Sequence, residues 1–81
     1  YGVGLYGKWL INLLENTAID VVYAIDKRWD VKNVNIPVVN ISSKLESVDG
    51  IIITPIFDVD SISKALRRRT HVECIGLKEI L

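Results

Sequence analysis

The sequence predicts an α/β fold: a three-layer parallel sheet with helices on both faces. Three observations carry that prediction. The chain opens on Gly2-Val3-Gly4-Leu5-Tyr6-Gly7, a G-x-G-x-x-G turn that runs into a helical pattern. Two fully apolar runs, Val21 to Ile25 and Ile51 to Ile53, suit strands covered on both faces. Strand and helix patterns then alternate, which implies parallel pairing through right-handed crossovers.

Size and charge bound the rest. Eighty-one residues make one small domain, 1–81, and 49% apolar residues suffice for its core. Ten basic residues balance ten acidic ones, which argues against nucleic-acid binding by bulk charge. No apolar run approaches the ~20 residues of a membrane span, so no direct membrane insertion is expected. Cys74 is alone, so no internal disulfide forms, and a reducing cytoplasmic setting fits best.

The first helix is predicted over Lys8 to Asn16, where Leu10, Leu13 and Leu14 give an i, i+3, i+4 face. Val21 to Ile25 is a buried strand ending at Asp26, and Asp26 to Asn35 is a polar loop. Ile36 to Ile41 reads as an edge strand because Pro37 cannot donate to a ladder. Ser43-Lys44-Leu45-Glu46 fits a capping box, which predicts a short helix from Ser42 or Ser43 to Asp49-Gly50. Ile51 to Thr54 is the next strand, stopped by Pro55. Asp58 or Asp60 caps a helix with Ile62, Ala65 and Leu66 inward and Arg67, Arg68 and Arg69 at its solvated end. Val72 to Ile75 is the last strand, and Leu77 to Leu81 closes with one helical turn.

A glycine turn of this type normally follows a strand at the centre of the sheet. Only Tyr1 precedes Gly2, so the chain is expected to be a fragment lacking its first strand, with an Ile/Val-rich segment upstream.

The glycine spacing carries chemistry. Gly2 permits a tight turn, Gly4 lets a pyrophosphate approach the backbone, and Gly7 lets the helix pack closely. The free N–H groups and partial positive charge of the helix start, at Leu5, Tyr6 and Gly7, face the phosphates. Asp26 stands about 20 residues on, where a ribose-binding acid is placed in such units. Its charge would repel a 2′-phosphate, although Lys27 and Arg28 follow it, so NAD is favoured over NADP. Thr54, at the carboxyl end of its strand, is a further candidate ligand contact, with a turn cap as the alternative. Trp29 in its polar loop suits a partner surface. His71 and Cys74 offer no nucleophile–base pair, and no catalytic or metal-binding set is expected.

With the glycine turn, Tyr23-Ala24-Ile25-Asp26-Lys27, Ile36-Pro37-Val38 and Ile51-Ile52-Ile53-Thr54 in place, the chain resembles the small Rossmann-like domains of bacterial surface-polysaccharide enzymes. These include the N-terminal domain of sugar acyltransferases, a domain of nucleotide-sugar dehydratases, and domains appended to glycosyltransferases. The resemblance implies NAD or a nucleotide-sugar as ligand, on Gly2, Gly4, Gly7 and Asp26. It also implies a transferase-associated binding module, either homodimeric or covalently linked to an enzyme domain. Two alternatives stay open. The chain is the cofactor half of an NAD-dependent dehydrogenase, epimerase or dehydratase, or it is a ligandless structural or dimerisation domain.

Overall fold

The computed structural model describes residues 1–31 and 34–80. In chain order it contains helix α1 (Leu5–Leu14), strand β1 (Ala24–Ile25), a 3-10 turn (Trp29–Val31), and strands β2 (Val38–Val39) and β3 (Gly50–Ile53). Helix α2 (Val59–Arg67), strand β4 (Glu73–Gly76) and helix α3 (Leu77–Ile80) follow. The strands form two parallel pairs, β1 with β2 and β3 with β4. The result is a small mixed helix–strand globule. None of its described helices is long and apolar enough to cross a membrane.

Tyr1 and Gly2 lie between the two pairs. The Gly2 N–H donates to the Ile25 carbonyl at 2.8 Å. On the other side the Tyr1 ammonium donates to the Ile52 carbonyl at 2.6 Å, and the Thr54 N–H donates to the Tyr1 carbonyl at 2.9 Å. The last two bonds follow the slanted pattern of a parallel ladder. The spatial order is therefore β2, β1, Tyr1–Gly2, β3, β4. Before Tyr1 the space between β1 and β3 opens into a cleft of about 600 Å³, roofed by Leu10, Ile11 and Leu14 of α1.

The core joins both pairs. Ile25, Ile51 and Ile53 pack with Leu66 of α2, and Tyr1, Val39, Val59 and Ile62 lean on that cluster. Ile53 and Leu66 are completely buried, each worth about 1.5–3 kcal/mol against exposure. The i, i+4 spacing of Ile62 and Leu66 turns one stripe of α2 inward. Asp58 holds the N-cap position without a side-chain capping bond. Asp60 in the first turn, and Lys64 and Arg67 in the last, complement the helix dipole.

Several boundaries differ from the sequence reading. Helix α1 starts at Leu5 rather than Lys8, because Gly4 already accepts the first helical bond, from the Lys8 N–H at 3.0 Å. The strand expected over Val21 to Ile25 is paired only at Ala24 and Ile25, since β2 is two residues long and the other flank opens into the cleft. The helix expected after Ser42 does not form. Asn40 Oδ1 takes both the Ser42 N–H (2.9 Å) and the Ser42 hydroxyl (2.8 Å), a local turn that competes with helix initiation. Gly76 ends β4 inside the ladder, and α3 follows directly. Lys32 and Asn33, within the predicted loop, and Leu81, the predicted end of the last turn, lie outside the described residues.

Candidate nucleotide site

The glycine turn is fixed by contacts that only glycine permits. Gly2 has φ 98°, a conformation costly for residues with a Cβ. A Cβ there would also lie 2.6 Å from Thr54 Oγ1 and 2.7 Å from Pro55 Cδ. Gly7 is buried in the first turn of α1, and a Cβ on it would strike the Gly2 carbonyl oxygen. Gly4 differs, since a Cβ there would meet nothing within 4 Å. Gly2 and Gly7 are therefore demanded by packing, whereas Gly4 leaves open space at the helix N-cap. No side chain caps α1, and its first turn holds no acidic residue. Its leading N–H groups give that end a partial positive charge.

Asp26 closes the site from the other side. It follows β1 directly, and its carboxylate reaches back to the turn. Oδ2 accepts from the Val3 N–H at 2.7 Å and Oδ1 from the Arg28 N–H at 2.8 Å. The crossover from α1 through β1 thus brings a carboxylate within one hydrogen bond of the glycine loop. Val3 is buried, and Asp26 is half-buried.

Thr54 supports the floor. It is 5% exposed, and its hydroxyl shares one proton between the Gly2 carbonyl (2.8 Å) and the Tyr1 carbonyl (3.0 Å). The hydroxyl proton is thus committed to the loop backbone. Leu5, Tyr6 and Lys27 are exposed at or beside the turn, Tyr6 with half of its surface open.

Electrostatics follow burial. The Tyr1 ammonium is pushed down to about 6 by burial, with Cys74 and the Asp26 carboxylate opposing the shift. Burial, reinforced by Asp26, raises the Tyr1 phenol. Burial also raises the Cys74 thiol, whose Sγ lies 3.7 Å from the Val72 carbonyl oxygen, so Cys74 is a poor nucleophile. His71 is exposed in the turn before β4. Among the described residues no group of three His, Cys, Asp or Glu side chains could hold a metal ion.

Arg69 is the polar residue whose role the sequence hid. Its guanidinium donates to the carbonyls of Ile41 (3.2 Å), Ser42 (3.0 Å) and Ser43 (3.1 Å). A run of three arginines reads as a solvated helix end, and no local pattern singles out the one that reaches across to another loop. Trp29, about half exposed, sits in the 3-10 turn close after Asp26.

The arrangement places the N-terminal turn of α1, an open Gly4 and the Asp26 carboxylate side by side. Comparisons with protein-family models, curated proteins and solved structures return no match.

Proposed function

We propose that the chain is a Rossmann-like nucleotide-binding module that holds NAD or a nucleotide-sugar within a surface-polysaccharide biosynthesis protein. One observation carries this reading: the Asp26 carboxylate stands 2.7 Å from the Val3 N–H of a glycine turn whose Gly4 opens on empty space. The pyrophosphate lies against Gly4 and the first N–H groups of α1, where the helix charge is favourable. The ribose hydroxyls donate to Asp26, whose bonds to Val3 and Arg28 fix its orientation. The order β2, β1, Tyr1–Gly2, β3, β4 supports the three-layer reading. In that reading the turn lies in the middle of the order, between β1 and β3, where an open α/β sheet holds its ligand. The polysaccharide setting rests on the motif resemblance alone.

Titration calorimetry with NAD and with a UDP-sugar tests the proposal. Saturable binding that Gly4→Val and Asp26→Ala each weaken by about tenfold or more supports it. No detectable binding of either at about 1 mM rejects it.

A second reading is favoured by Thr54 and Asp26, whose polar atoms all bond to this chain's own backbone. In that reading the turn is a structural brace. It requires that Asp26→Ala lower stability while wild type binds neither ligand.

A further inference from the structure

We propose that the outward face of α1 is the contact surface of a two-fold dimer of this chain, in which the two copies of α1 pack antiparallel.

The helix is apolar nearly all the way round. Leu10, Ile11 and Leu14 turn toward the sheet, and only Gly7 and Leu10 are buried. Leu5, Trp9 and Leu13 stand on the opposite side, four residues apart, with Tyr6 next to Trp9 on the helix surface. Leu5 is 82% exposed, Leu13 56%, Tyr6 50% and Trp9 44%. A helix packed on one side carries polar residues on the other. Here Lys8, Asn12 and the C-cap Glu15 keep to one flank and leave the outermost row apolar. A continuous row of large apolar side chains marks a contact surface, unlike scattered single exposures.

Symmetry, area and charge select a second copy as the occupant. The row is symmetric about Trp9. A two-fold axis through that point lays Leu5 against the partner's Leu13 and Trp9 against the partner's Trp9, the self-match that an isologous contact requires. Rows of i, i+4 spacing are also the ridges by which helices pack. The four side chains expose roughly 450 Å², so the pair covers about 900 Å², just below the ~1,000 Å² of a stable specific interface. The dimer is therefore weak and reversible. Charge sets the direction. Helix α1 has no side-chain cap, no acidic residue in its first turn and no basic residue in its last, and Glu15 closes it. Antiparallel packing brings each helix start near the partner's Glu15 and opposes the two dipoles, whereas parallel packing would align them.

Sedimentation equilibrium of the 81-residue chain from about 10 µM to 1 mM tests the proposal. A monomer–dimer transition should fall in that window. Leu5→Glu and Leu13→Lys should each raise the dissociation constant by about tenfold or more. An equimolar mixture of the two variants should dimerise again, because the antiparallel register sets each new charge against its opposite and leaves Leu13 against Leu5 at the other end. Far-UV circular dichroism of dilute samples checks that each variant folds, with Leu5→Gln and Leu13→Gln as uncharged controls expected to fold and to dimerise less. A monomer at every concentration, a dimer indifferent to these changes, or a mixture no better than its components would overturn the proposal. Loss of helix in the dilute Gln variants would also overturn it, since those side chains would then belong to the fold. No readout involves a nucleotide, so the outcome is independent of NAD or nucleotide-sugar binding.

Discussion

At the scale of single residues, the three glycines separate cleanly. Gly7 faces the Gly2 carbonyl, an atom fixed in the backbone. Gly7→Ala should therefore destabilise by about 3 kcal/mol or more, or abolish folding, as read by urea unfolding. Gly4 has open space and an extended backbone that any residue adopts. Gly4→Ser should raise stability by about 0.5 kcal/mol through helix capping, while calorimetry shows weaker nucleotide binding. A substitution that strengthens the fold and weakens the ligand separates scaffold from site. The Tyr1 ammonium gives a pH prediction. Its folded value of about 6 lies below the usual 8.0, so the unfolded chain binds more protons between those values. Stability of the 81-residue chain then rises with pH across about 6 to 8, by about 3 kcal/mol, and the penalty is fully present below 6. N-terminal acetylation should flatten that rise in urea titrations at pH 5.5 and 8.5. The spacing already gave the three glycines separate roles, but the contacts that enforce Gly2 were not legible in the sequence. They depend on Thr54 and Pro55, which return to the turn from the far end of β3.

At the scale of elements, local periodicity was informative wherever packing agreed with it. The Leu10 and Leu14 spacing, the Ile51 to Ile53 run and the Ile62–Leu66 stripe each mark an element that forms. The failures come from competing partners at one place and a missing partner at another. Ser43 to Glu46 has the letters of a capping box, yet Asn40 and Arg69 bind the backbone there instead. Arg69→Ala should free the 41–43 segment, costing about 1 kcal/mol because the bonds are exposed. Limited proteolysis in residues 41–48 should accelerate, and Arg69→Lys should rescue little, because an ammonium cannot span three carbonyls with a planar fork. Val21 to Tyr23 failed as strand for the opposite reason. Their composition is suited to a covered strand, but β2 is too short to pair with them.

At the scale of the whole molecule, two parallel pairs are joined by one dipeptide and a shared core. Ile25 on one side and Ile51, Ile53 and Leu66 on the other meet in a single cluster. A chain beginning at Val3 keeps both pairs but loses the bonds to Ile25, Ile52 and Thr54. Its urea transition should broaden and its slope fall, because the halves no longer unfold as one unit. The alternation of elements, and hence the parallel pairing, could be read from sequence. The spatial order could not, because it depends on which flank each remote strand joins.

Thr54 shares a single proton between the carbonyls of two successive residues, Tyr1 and Gly2. Losing that hydroxyl removes both bonds at once, and serine is the substitution that keeps them. In a saturation library selected for solubility, Val at this position should vanish, despite matching Thr in shape. Exposed positions such as Phe57 should drift freely. Among descendants of this chain, the glycine turn and its supporting hydroxyl would then be inherited together or lost together.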